Sequence, residues 1–331
     1  MARNRAGFGC AVFSILSLCG LGTGVAILFD QSRPLDPGQP ITIKFESAVK
    51  TSDAFERLQE SKVIRNAGAS SLMAKLMRLP TKIEAGTYKV RPGDNLEKIV
   101  QSLRSPIQHL VRIPEGWWVA RVAQKLEESG ICKAEDYRKE CADFAGDIDP
   151  ALKLRGRNLE GWLYPDTYDL PVGAGAQKVI LRQLKNFANK VLPEIPASVD
   201  VRRTLVIASL VELEAAIDAD RSKIAGVIEN RLKMGMPLQI DASVLYAMQQ
   251  WKELGPGEVR TVASPYNTYL HKGLPPGPIC SPSLKSILAA LNPDSHGYLY
   301  YVAKPDRSHF FAVTYDDHLK NIRRARSGGS K

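Results

Sequence analysis

The sequence predicts an α+β protein, mainly helical with short strands, standing behind a single membrane-spanning helix. Three observations lead there. Short alternating runs such as ITIKF at Ile41–Phe45 stand beside amphipathic stretches with helical spacing. A length of 331 residues with 44% hydrophobic content suffices to bury a sizeable core in two or three domains. The residues from Ala6 to Phe29 are uncharged and long enough to cross a bilayer as a helix.

Residues 1–30 therefore read as a cytoplasmic stub and anchor. Arg3 and Arg5 ahead of the span favour a cytoplasmic N-terminus and a body outside the membrane. A cleaved signal peptide is the competing reading, but the apolar stretch exceeds a usual signal core and lacks a small-x-small site before Asp30. Cys10 and Cys19 fall within the span. Residues 31–42, with QSRPLDPGQP, read as a proline-rich extended tether.

Residues 43–107 read as a small α+β domain, with helical stretches at 54–61 and 69–78 followed by EAGTYKVRPGDNLEKIVQSL. There a strand at 87–90 leads through Pro92 and Gly93 to a cap at Asp94 or Asn95, and a helix follows with Leu96, Ile99, Val100 and Leu103 on one face. That strand, PGD turn and helix resemble the LysM-like modules that bind glycan strands. A packing unit without a ligand has the same pattern.

Residues 108–322 read as the second domain, opening with a strand at His109–Ile113 and an amphipathic helix within PEGWWVARVAQKLEESG. Polar helices and loops cover 133–157. In EGWLYPDTYDLP, Trp162, Tyr164 and Tyr168 suit either sugar stacking or a core. A helix at 176–192 precedes a strongly apolar one from Val201. Residues 323–331, RRARSGGSK, read as a basic flexible tail and contribute to a net charge of +10. A body outside the membrane argues against nucleic acid as a partner and for attraction to anionic wall polymer or lipid. Cys132 and Cys141, nine residues apart, form no disulfide framework; free buried thiols are expected, with pairing the alternative in an oxidising compartment. The histidines are scattered, which predicts no metal site, and no phosphate loop or serine-hydrolase elbow is present, so no cofactor is expected.

The run VIASLVELEAAIDADR, 206–221, poses the chemical question, because a helix apolar nearly all round carries Glu212 and Glu214. About 200° separates them around a helix, so they face different surroundings. Glu214 shares its side with Ile207, Leu210, Val211, Ile217 and Asp218, whereas Glu212 lies with Leu205 and the small residues Ala208, Ser209, Ala215 and Ala216, where another segment can approach closely. A carboxyl against large apolar groups loses solvation when ionised and stays protonated near neutral pH, as a general acid requires. This points to Glu214. Pairing of either glutamate with Arg221 or Arg231 is the bland alternative.

ASLVELEAAIDADRSKIAGVIENRLKMGMPLQIDASVLYAM (208–248) resembles the membrane-anchored endolytic murein transglycosylases of the MltG or YceG-like family. So do IPEGW (113–117), EGWLYPDTY (160–168), SPYNTYLHKGLPPGPICSPS (264–283) and YLYYVAKPDRSHFF (298–311), in the family's order. The family's acid, the second glutamate of its A-S-I-[VI]-E-K-E-T run, falls on Glu214. The sequence departs at Leu213 and Ala215, where the family has lysine and threonine, and at Gln239–Ala242, which reads QIDA where the family has QTDP.

The resemblance implies cleavage of the β-1,4 bond between N-acetylmuramic acid and N-acetylglucosamine in nascent glycan strands, with a 1,6-anhydro product. It implies peptidoglycan as substrate, an inner-membrane location with the body outside, and wall-synthesis proteins as partners. One acid serves both halves of the reaction, and the tethered 6-hydroxyl makes a second carboxylate unnecessary. Supporting roles are expected for Glu212, Asp218, Gln239, Asp241, Tyr246, Asn267, Thr268 and Tyr269, with Asp218 and Asp241 raising the acid's pKa and SPYNTY meeting sugar edges. The rival reading is a non-catalytic, membrane-anchored glycan-binding scaffold.

Overall fold

A computed structural model describes residues 34–146, 154, 156–255 and 257–327. The expected anchor lies outside the described residues, and among the latter no helix is long and apolar enough to cross a membrane. The fold is α+β, with eleven helices and four two-stranded sheets among the described residues, and it divides into two compact units.

The first unit comprises residues up to 109 together with Leu170–Gly175. Strand β1 (Ile41–Phe45) pairs antiparallel with β4 (Gly86–Val90), and β2 (Val49–Lys50) pairs with β3 (Lys82–Ile83). Helices α1 (Thr51–Glu60), α2 (Ala67–Leu76) and α3 (Leu96–Arg104) complete it. Period-two alternation turns Ile43 and Phe45 inward, where Phe45 meets Tyr88 at 5.8 Å between ring centres and Ile99, Val100 and Leu103 close the core. Asn66 and Asn95 cap α2 and α3, accepting from the amides of Ala69 and Lys98 at 2.9 Å. The span expected as a tether is partly folded: β1 starts at Ile41, and the Gly38 amide donates to the Pro92 carbonyl at 3.0 Å. Gly93 explains the close approach, since its φ of +88° favours glycine and a Cβ there would stand 2.6 Å from Cα of Pro37.

The second unit comprises residues 110–169 and 176–331. Its described elements begin with the larger parts of β5 (Gln108–Ile113) and of β6 (Asp166–Pro171), strands that pair with each other, and continue with helices α4 (Val119–Glu128), α5 (Ala134–Ala142) and α6 (Ala176–Lys190). Trp162 and Tyr168 are buried, and Trp162 also lines a cavity of about 400 Å³ beside Glu160. Cys132, Cys141 and Cys280 are free thiols. Helix α7 (Val201–Glu214) is capped by Asp200 and buried continuously from Thr204 to Val211, which is why so apolar a sequence is stable there. Around it pack α8 (Asp218–Lys233), α9 (Asp241–Met248) and α10 (Leu284–Leu291).

A β-hairpin of β7 (Tyr300–Ala303) and β8 (His309–Ala312) and helix α11 (Tyr315–Ser327) finish the unit. The expected flexible tail is thus helical as far as Ser327. Asp316 and Asp317 stand in its first turn and basic residues in its last, in favour of the helix dipole, and Arg324 lies over the Phe310 ring at 4.6 Å.

Candidate active site

Helix α7 ends at Glu214, where the backbone of Ala215 turns extended, and α8 begins only at Asp218. This corner leaves Glu214 half-buried on a cavity of about 450 Å³, whose lining includes Arg231, Gln239, Asp241, Tyr269, Tyr301 and His309. The Tyr301 hydroxyl donates to Oε2 of Glu214 at 3.0 Å. Burial pushes the Glu214 carboxyl up to about 7; the Asp241 charge adds to the rise, while the Tyr301 hydrogen bond and the Arg231 guanidinium oppose it. Burial and the Glu214 charge hold Tyr301 well above the usual phenol range, so it remains a donor. A group near 7 flanked by opposing influences exchanges a proton in either direction around neutral pH.

The cavity is shaped by contacts far apart in sequence. Registered pairing of Tyr301 with Phe311 and Ala303 with His309 puts these four residues on one face of the hairpin. Buried Asp220, in the first turn of α8, accepts at Oδ2 from the His309 backbone amide at 2.8 Å and lies 2.9 Å from its Nδ1. Asn230 donates to the carbonyls of His296 and Tyr298, and Arg231 to that of Leu299. The hairpin is thereby fixed to α8, and Tyr301 to the end of α7. Arg231 also donates to the carbonyls of Pro237 and Leu238, which positions the approach to α9. Tyr300 stacks on His318 with ring centres 5.3 Å apart and, with Tyr315, adds an aromatic wall.

Of the residues expected in the site, Glu214, Gln239, Asp241 and Tyr269 share this cavity. Asp241 accepts from the Tyr269 hydroxyl at 2.5 Å. Gln239 adopts a positive φ of 54° and donates its amide to the Thr268 carbonyl at 3.1 Å.

The others stand elsewhere. Glu212 faces the opposite side of α7, as its periodicity requires, and the segment expected against that face is residues 279–283: Ser209 Oγ accepts from the Ile279 amide, and Glu212 Oε2 from the Ser283 amide at 2.9 Å. With Arg221 at 3.2 Å and the hydroxyls of Ser283 and Ser286, Glu212 is fully engaged in tying α10 to α7. Asp218 is not on Glu214's helical face, because the chain breaks between them; it pairs at the surface with Lys285 and Arg221.

Asn267 and Thr268 do not offer polar groups to a ligand. Asn267 is fully buried, its amide donating to the carbonyls of Val259 and Val262 and its oxygen accepting from the Tyr269 amide. Thr268 Oγ1 accepts from the Ile240 amide and meets Ser243 Oγ. Their work is to fix the loop that carries Tyr269. Tyr246 reaches Glu160 at 3.3 Å, away from this cavity's lining. Tyr301, His309 and Asp220 carry the site together with Arg231, which the sequence offers only as an ion-pair partner for either glutamate; the aromatic content of YLYYVAKPDRSHFF is the signal for the hairpin residues.

The YceG-like family matches residues 43–324. The chain belongs to the YceG-like family. A relative within it, the endolytic murein transglycosylase of Bacillus subtilis, is 31% identical over 322 residues, covering 90% of this chain and 89% of its own length. The endolytic murein transglycosylase of Streptococcus pneumoniae is 26% identical over 349 residues; the match spans 94% of this chain and 63% of the pneumococcal protein. A crystal structure of a yceG-like protein from Listeria monocytogenes, at 30% identity, aligns with a TM-score of 0.57 over 85% of this chain and 98% of that one. The YceG-like chain thus carries its half-buried Glu214 inside the matched region, as it does the hairpin that supplies Tyr301.

Proposed function

We propose that this YceG-like protein is an endolytic peptidoglycan lytic transglycosylase in which Glu214 is the acid and then the base. The observation that carries the reading is a carboxyl near pKa 7 on an open polar cavity, held by one tyrosine hydroxyl rather than capped off by the fold. Protonated Glu214 gives its proton to the glycosidic oxygen as the muramyl C1–O bond breaks. The resulting carboxylate, favoured by Tyr301 and Arg231, takes the proton of the muramyl 6-hydroxyl as that oxygen bonds to C1, leaving a 1,6-anhydro end. Asp241 acts through charge, keeping the acid protonated, and Tyr269 holds Asp241 in place. Asp220 and His309 hold the hairpin on which Tyr301 depends.

In the same reading the first unit is a LysM-like glycan holder, and residues 1–30 anchor the protein in the inner membrane with both units outside, next to wall-synthesis proteins. The test is mass spectrometry of fragments released from peptidoglycan by the wild type and by Glu214→Gln. Anhydromuramyl ends from the wild type alone are expected. Hydrated reducing ends, or equal fragments from both proteins, overturn it.

A further inference from the structure

The second unit has another groove, of about 770 Å³, at the far end of α9 from Asp241. Helix α9 spans eight residues, about 12 Å at 1.5 Å per residue, so the groove is a helix length from the acid's cavity. Beyond the helix, after Gln249 closes it in a left-handed conformation, Trp251 lies 54% exposed with its ring 5.9 Å from that of Trp118 and tilted by 34°. An exposed indole packed on a buried one, both in the lining of the groove, offers an aromatic surface to a ligand there.

The polar lining says what kind of molecule fits. Arg121 stands over Trp117 at 4.2 Å and Arg138 projects from α5; among the described residues neither is paired with a carboxylate. Glu127, the carboxylate in the lining, is turned to the Ala134 amide at 3.2 Å, at the start of α5. Gln124 and Gln249 donate to Glu128 and to the Tyr246 carbonyl, leaving their side-chain oxygens as acceptors. A flat apolar platform beside two guanidiniums and amide oxygens matches a sugar ring that bears hydroxyls and a carboxylate.

We infer that this groove is a second saccharide site, in which Trp251 stacks on a muramyl ring of the glycan strand while Arg121 and Arg138 bind the carboxylate of its stem. The choice of strand rests on the transglycosylase reading, and the site would hold the strand at a point remote from the cut.

The test measures binding and not turnover. The full-length chain carrying Glu214→Gln is titrated with soluble glycan strands bearing peptide stems and, separately, with a neutral chitooligosaccharide of equal length. Trp251→Ala is expected to weaken both by roughly tenfold, Trp251→Phe to keep most of the affinity, and the pair Arg121→Gln and Arg138→Gln to weaken only the stem-bearing strands. Unchanged affinity in Trp251→Ala overturns the site; equal loss for neutral and charged strands in the arginine pair overturns the carboxylate assignment. Strands left uncut by the wild type but bound through Trp251 would sink the enzyme reading while supporting this site.

Discussion

Glu160 and Glu214 are both taken out of water by the fold, and burial lifts one carboxyl to about 8 and the other to about 7. Their settings differ. Glu160 is 5% exposed and accepts from the Val119 amide at 3.1–3.2 Å, where α4 begins, and from the Tyr246 hydroxyl; it closes a helix N-terminus from inside the core. Glu214 ends its helix instead, with the Tyr301 hydroxyl on one oxygen and a cavity in front of it. A raised carboxyl therefore reports burial in both cases, and Glu160 too lines a cavity, of about 400 Å³. What separates them is that both Glu160 oxygens accept from the surrounding fold, whereas Glu214 accepts from the Tyr301 hydroxyl on one oxygen.

The comparison breaks most directly at Glu214. Glu214→Gln is expected to lower turnover of peptidoglycan by about 10²–10⁴-fold while leaving thermal unfolding near that of the wild type, because the amide keeps the shape and the Tyr301 contact. Comparable turnover in the variant would move the acid elsewhere, with Glu160 the first alternative.

Glu160 should give the opposite result. Glu160→Ala leaves the Val119 amide without its acceptor and is expected to cost about 1–3 kcal/mol of stability, read by denaturant unfolding, with chemistry per folded molecule little changed. Glu160→Gln sharpens the point through pH. The carboxyl binds its proton more tightly folded, at about 8, than unfolded, at 4.5, so stability is fully present below 4.5 and falls as pH rises through 8. The glutamine imitates the protonated form, and the variant should show a flatter decline of Tm across that window.

Smaller effects come from the two neighbours that act on Glu214 in opposite senses. Tyr301→Phe removes a hydrogen bond that favours the ionised acid; the alkaline limb of kcat/KM should move to higher pH, with a change of about 0.5–1.5 kcal/mol in the barrier. Asp241→Asn removes a charge that favours the protonated acid, so the same limb should move to lower pH. Asp241 is exposed, and that shift should be the smallest of the set and shrink further in salt. Movement of both limbs in one direction would contradict the assignment of these two groups.

Parts of this arrangement are legible in the sequence at particular residues. Helical spacing alone set Glu212 and Glu214 on opposite sides of α7, and the small residues beside Glu212 marked the face against which residues 279–283 now pack. Asn95 before a periodic apolar run marked the start of α3. Glu160 gave no comparable sign, because what makes it a buried cap is the position of α4, forty-one residues earlier in the chain.

The sequence by itself determined which elements form, which face of each is apolar and which glutamate stands apart from the small-residue face, because these follow from periods of two and 3.6 residues and from caps within a turn. Tertiary structure decided what Glu214 meets. The break after α7 separated it from Asp218, loop closure turned Asn267 and Thr268 inward, and docking of a hairpin brought Tyr301 to it from 87 residues away and His309 to Asp220 from 89. Those partners are chosen by how packed elements satisfy one another's buried polar groups, and no local period carries that information.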